Sequence, residues 1–171
     1  MIGTFDSVVQ KDTVEKFGKT AELLGELPKE SPFFYLMETA RNLCLVLEKK
    51  ADLGREIRLA YSQEDKETLQ EIANIKIPVL LQRLQDFYQS FRTQWNLENK
   101  SFGFEVQTVR IGGLLQRLKD VQEILNAYLR EEISGIAELN EPQKAFHYFE
   151  QNEIRSLNYN LWTDIVSPSK I

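Results

Sequence analysis

The chain has 171 residues and a formal charge of −5, with 42% hydrophobic and 27% charged residues, which fits one folded domain and excludes a disordered or membrane-spanning chain. The acidic balance argues against nucleic-acid binding, which needs clustered Lys and Arg. One cysteine, Cys44, and one histidine, His147, exclude a disulfide framework and a thiolate metal cluster within one chain.

Taken in order, residues Met1 to Gln10 carry no basic segment followed by an apolar run, so no secretory leader is expected there. The first helix is expected from Asp12 to about Leu24. Asp12 followed by Glu15 resembles a capping box, and Val14, Phe17, Ala21 and Leu24 recur at three-four spacing. Gly25 and Pro28 close it. Ser31 then offers an N-cap and Pro32 a first helical residue. Leu36, Ala40, Leu43, Leu47, Ala51 and Ile57 trace one stripe, so a single helix is expected to run to Tyr61, about 45 Å long at the usual rise. Gly54 lies inside it.

Ser62 to Asp65 supplies the next cap. A helix over Lys66 to Ile75 is expected to kink or restart at Pro78. Beyond it Leu80, Leu84, Phe87, Phe91 and Trp95 make an amphipathic helix with an aromatic end. Asn96 to Gly103 reads as a loop. A long helix follows from about Glu105 to Glu132, with Ile111, Leu114, Leu118, Val121, Leu125 and Leu129 in a narrow arc. Asn140 to Glu153 is expected to form one more helix, and Leu157 to Ile171 an extended tail carrying Trp162, Ile165 and Val166. No stretch reaches the ~18 apolar residues that would span a bilayer. The expected fold class is therefore all-α: an antiparallel helical bundle with long helices and an extended C-terminal tail. It forms one domain, 1–171, divided into an N-terminal helix and linker (1–30) and the bundle with its tail (31–171).

Few residues suggest chemistry. His147 has Lys144 three residues before it, so the Glu-x-x-His motif of di-metal bundles is missing. A Cys44–His147 nucleophile pair is formally possible, but Cys44 lies beside Leu43 and Leu47, where a buried, inert thiol is the better reading. No cofactor is expected. Gly112-Gly113 runs into Leu114, Leu115 and Gln116 without the Lys-Ser/Thr of a phosphate loop.

The segment WNLENKSFGFEVQTVRIGGLLQRL, from Trp95 to Leu118, stands apart. Each glycine of the pair costs about 1 kcal/mol relative to Ala in a helix interior. Both fall opposite the leucine stripe and would form an outward notch bordered by Arg110 and Arg117. Either a packing partner uses that notch, or the positions are merely exposed, or the helix begins after Gly113. In the preceding loop, Glu98, Asn99 and Lys100 lie between Trp95 and the Phe102/Phe104 pair. Such rings beside polar groups would suit the rim of a sugar pocket, or would plug the end of the bundle.

This segment closely resembles the C-terminal helical region of a subgroup of bacterial family-20 glycoside hydrolases, the exo-β-N-acetylhexosaminidases. LCLVLEKKADLGREIRLAY (Leu43 to Tyr61) and LNYNLWTDIVSPSKI (Leu157 to Ile171) resemble parts of the same region, so the likeness spans roughly residues 33 to 171. Ser101 stands where the family often has Pro. In that family a (β/α)8 barrel carries catalysis, with an Asp-Glu pair acting on the substrate's own acetamido group. No Asp here is followed by Glu, and the chain is short for a barrel of ~250 residues. The resemblance thus implies no catalytic residue. It implies a domain that packs on the barrel of its own enzyme and on a second subunit, as a homodimer, with carbohydrate reached only through the full-length enzyme. The expected interface is Phe102, Phe104, Arg110, Gly112, Gly113 and Arg117. Trp95, Glu98, Asn99 and Lys100 are the expected substrate rim. A cytoplasmic location and no membrane partner are expected. The rival readings are a free-standing helical interaction module and direct sugar binding by the Trp95 loop.

Overall fold

The structure is a computed structural model and describes residues 12–141; the expectations for His147, the helix beyond Glu141 and the tail lie outside them. It is all-α, with no strand among the described residues. The helices are α1 (Thr13–Gly25), α2 (Phe34–Lys50), α3 (Leu53–Ser62), α4 (Lys66–Glu71), α5 (Ile77–Glu98), α6 (Phe104–Leu129) and α7 (Ala137–Asn140), with a π-helical turn at Ile72–Lys76.

The start of α1 falls where expected, but without the capping box. The Asp12 carboxylate binds Lys16 Nζ at 2.7 Å and Glu15 binds Lys19 at 2.6 Å, so neither carboxylate reaches the backbone. Lysines one turn downstream are nearer partners than the amides.

The single helix expected from Ser31 to Tyr61 is instead two. Ser31 starts a turn, its Oγ accepting from Phe33 N at 3.3 Å, and α2 begins only at Phe34. It ends at Lys50, and α3 begins after Asp52. Asp52 favours helix ends over interiors, and Lys76 draws both Asp52 (3.3 Å) and Glu56 to itself at this break. Helix α2 packs between α1 and α5, while α3 packs on α4. The buried face of α2 is correspondingly rotated from the expected stripe. Thr39 and Val46 are buried, whereas Ala40 and Leu43 are exposed. Its contact with α5 is partly polar: Asn42 Nδ2 donates to Ser90 Oγ at 3.1 Å, and Arg83 Nη1 donates to Leu45 O and to Glu48, each at 2.6 Å.

Asp65 does cap α4, accepting from Thr68 N at 3.0 Å and from Thr68 Oγ1 at 2.7 Å. The α-helix restarts at Ile77, with Pro78 in its first turn, as expected. The turn before it is widened, with Ile77 N bonding to Ile72 O five residues back. The wider turn relieves the clash of the proline ring with the preceding carbonyls. It also leaves Ala73 O without a backbone donor, because Ile77 N is spent and Pro78 has none. Gln122 of α6 supplies the missing bond, its Nε2 donating to Ala73 O at 2.7 Å. Around this junction Val46, Leu53, Ile57, Leu69, Ile72, Ile77, Leu80, Leu84, Leu118, Val121 and Leu125 form the core. Tyr61 fastens the far end, accepting from Ile136 N and donating to Asn140 Oδ1, both at 3.0 Å.

Candidate docking surface

The α5–α6 corner is built from rings. Phe91, Trp95 and Phe104 make edge or tilted contacts at 5.6–6.2 Å between centroids, and Tyr88 joins Phe104 at 5.6 Å. Helix α5 continues to Glu98, so the loop is shorter than expected, from Asn99 to Gly103. Three bonds fix it. Asn99 N donates to Trp95 O at 2.8 Å, Trp95 Nε1 donates to Lys100 O at 2.9 Å, and Gly103 N donates to Glu105 Oε2 at 2.7 Å. Gly103 adopts φ +96°, which an L side chain rarely tolerates, and a Cβ there would stand 3.3 Å from the Trp95 ring. The loop is thus held in one shape from three sides.

That shape separates two phenylalanines. Phe104 turns inward and is 8% exposed; Phe102 is 86% exposed. Leaving a Phe in water forgoes roughly 2 kcal/mol of burial. Tyr35 OH donates to Glu98 Oε1 at 3.1 Å and ties the start of α2 to this corner. Desolvation first, and the Glu98 carboxylate second, raise the Tyr35 hydroxyl above its ordinary range. The same end therefore also carries exposed Phe33 (59%) and Leu97 (64%).

The expected site residues fall into three groups. Trp95 and Phe104 are structural, bracing the loop from within. Glu98 is engaged by Tyr35 and by Gln94 Nε2 at 3.1 Å, and Arg117 holds Glu138 of α7 with both carboxylate oxygens at 2.5–2.6 Å. Asn99, Lys100, Phe102, Gly112 and Gly113 face water, and Arg110 is half-buried on α6. Both glycines lie well inside α6, with no atom within 4 Å of a Cβ built on either. The helix does not begin after them. Phe33 and Leu97 were not anticipated, because a single apolar residue at an element's end carries no periodic signal.

The described residues offer little for catalysis. No group of three or more His, Cys, Asp or Glu side chains among them is placed to hold a metal ion. Burial pushes the half-buried Cys44 thiol up, away from the reactive thiolate. A hollow of about 40 Å³ between α3, α6 and α7, walled by Ile57, Val121, Leu125 and Leu139, is too small for a pyranose. No described helix is long and apolar enough to cross a membrane.

No curated protein matches the chain. Residues 1–158 match the family described as the glycoside hydrolase 20C C-terminal domain. That match takes in nearly all of the sequence, including every element described above, and the chain belongs to this family of C-terminal domains.

Proposed function

We propose that the domain is a scaffold of a β-N-acetylhexosaminidase. It packs on the catalytic barrel and on a second subunit, and it supplies no catalytic group. It contributes to the removal of terminal N-acetylhexosamine from glycans only as part of the whole enzyme, acting in the cytoplasm. The observation that carries this reading is the family match joined to a braced loop that holds Phe102 in water. A fixed, exposed ring is the kind of anchor that protein interfaces use. Its loop loses little entropy on docking, and its burial returns the free energy forgone. Phe33 and Leu97 extend the apolar end, and Asn99 and Lys100 give it a polar rim.

The test is calorimetric titration of the catalytic barrel of a 20C enzyme with this chain, alongside a Phe102→Ala variant. Binding that weakens by about 2 kcal/mol or more in the variant supports the reading. Equal binding by both chains removes Phe102 from the interface. Hydrolysis of a chromogenic N-acetylglucosaminide by the purified chain, well above blank, overturns the scaffold role itself.

Asn99 and Lys100 stand open beside the Phe102 ring, which favours a second role at the rim of the barrel's sugar pocket, next to Trp95 and Glu98. Trp95 is bonded to the loop through Lys100 O, so its fluorescence reports any change there. In a Trp162→Phe background, millimolar N-acetylglucosamine should alter that signal in the barrel complex beyond the change seen with the barrel alone. An unchanged signal removes the rim role.

A further inference from the structure

The outward face of α6 is chemically self-complementary. Glu105, Thr108, Gly112, Gln116 and Lys119 are all exposed and follow one another at three- and four-residue steps along a single line of the helix. Gly112 stands at the centre of the line. Seven residues before it is Glu105 and seven after it is Lys119; four before is Thr108 and four after is Gln116. No described atom covers the centre.

We infer that this face takes a second copy of the chain, with two α6 helices crossing antiparallel on a two-fold axis through Gly112. In that arrangement Glu105 of each copy meets Lys119 of the other, while Thr108 and Gln116 come opposite one another with the Thr108 hydroxyl already bonded to Tyr88 and Phe104 O and the Gln116 amide to Asp120. Every contact is made twice, as a two-fold requires. The charges select the orientation. A parallel pair in the same register would set Glu105 against Glu105 and Lys119 against Lys119, which costs free energy. Lys119 forms no ion pair within its own chain among the described residues, so the contact displaces no internal partner. Glu105 binds Gly103 N through one carboxylate oxygen and keeps the other free. Without a side chain at Gly112 the two axes approach to the short end of the ~8–10 Å range of packed helices. Each charged residue then lies only about 10 Å along the helix from the crossing point, where the axes have diverged little. The inference rests on the proposal that a second subunit packs on the domain, and it adds the face, the orientation and the register.

The test is cross-linking of the full chain in a Cys44→Ser background. Under mild oxidation, Gly112→Cys should form a disulfide with its own kind, because two-fold related positions on the axis come within disulfide reach. Glu123→Cys, further along the same helix, should not. A mixture of Glu105→Cys and Lys119→Cys chains should form the mixed dimer in preference to either like pair. In light scattering, Lys119→Glu should weaken self-association about tenfold, and adding Glu105→Lys should restore it. Circular dichroism confirms that each variant is folded. If Gly112→Cys links no faster than Glu123→Cys, the two-fold is wrong. If the chain still binds the catalytic barrel in that case, the scaffold reading survives and only this inference fails.

Discussion

Six core residues between Leu69 and Leu84, namely Leu69, Ile72, Ala73, Ile77, Leu80 and Leu84, are at most 2% exposed. Across the whole of α1 and α2 only Ala21, Thr39 and Val46 are buried. The first region is held by apolar burial on several sides at once. The second is held by one line of contact and by charged and polar ties: Arg83 to Glu48 and Leu45 O, Asn42 to Ser90, and Tyr35 to Glu98. Helix α1 packs chiefly on α2 and leaves Leu23 in water, as the turn after it leaves Leu27. Stability should therefore be graded along the chain, with a firm centre at the π-helical turn and a looser edge at α1.

The sharpest way to break that contrast is a pair of equivalent truncations. Leu80→Ala removes a side chain with no exposed surface and should cost about 2–5 kcal/mol in urea unfolding. Leu23→Ala removes one that is 64% exposed and should stay within about 0.5 kcal/mol. Similar costs at both sites would mean that α1 is buried against something beyond the described residues.

Next in size is the bond that repairs the π-helical turn. Gln122→Leu keeps the bulk but removes the donor, leaving the carbonyl of fully buried Ala73 unpaired, at a cost of about 1–3 kcal/mol. Gln122→Glu should be at least as damaging, since a carboxylate offers no proton to a carbonyl at neutral pH. A neutral result for both variants would show that Ala73 O finds another donor, and the centre would then owe less to α6 than its geometry indicates.

These two regions also differ in how far the sequence revealed them. Stripes such as Leu80–Leu84–Phe87–Phe91–Trp95 and Leu118–Val121–Leu125 predict α5 and α6 because one face of each meets one core. The same reasoning fails for α2, which is flanked by α1 and α5. Its apolar residues divide between two contacts, so the densest stripe does not mark the buried face. Breaks set by distant partners are equally silent. Asp52 turns the chain toward Lys76, twenty-four residues on, and Arg117 is occupied by Glu138, twenty-one residues on. At the docking corner the aromatic composition and Gly103 were legible, as was the outward placing of Gly112 and Gly113. Which of Phe102 and Phe104 faces water was not, because a loop has no period from which to read it.

The charged ties of the looser half give it a pH dependence. Partial burial raises the Glu48 carboxyl, but its bonds to Arg83 and Lys49 outweigh that and leave it below the ordinary range. A folded-state value below the unfolded one, about 4.3 for Glu, adds stability at pH values above it. That contribution disappears as pH falls through the lowered folded value. Hydrogen exchange in α2 should lose protection relative to α5 and α6 on acidification from about pH 5 to below pH 4, the range in which the unfolded and then the lowered folded carboxyl take up a proton. Arg83→Met should flatten the dependence. If α2 and α6 accelerate in parallel, the acid response is global and the Glu48 tie does not distinguish the two halves.

The smallest effect separates stability from docking within one helix. Gly113 lies inside α6 with nothing within 4 Å of a built Cβ, so Leu fits there without displacing any described atom. Its better helix propensity should stabilise the isolated chain by up to about 1 kcal/mol, read as a small rise in the urea midpoint with unchanged slope. If the notch serves a partner, the same branched side chain fills the space and weakens association with the barrel or the second copy. Gly113→Leu should thus gain stability and lose binding together, a combination that a purely structural glycine cannot give. Reduced helicity in circular dichroism would place Gly113 against chain outside residues 12–141, and unchanged binding would leave the glycine pair as no more than a gap in the solvent face of α6.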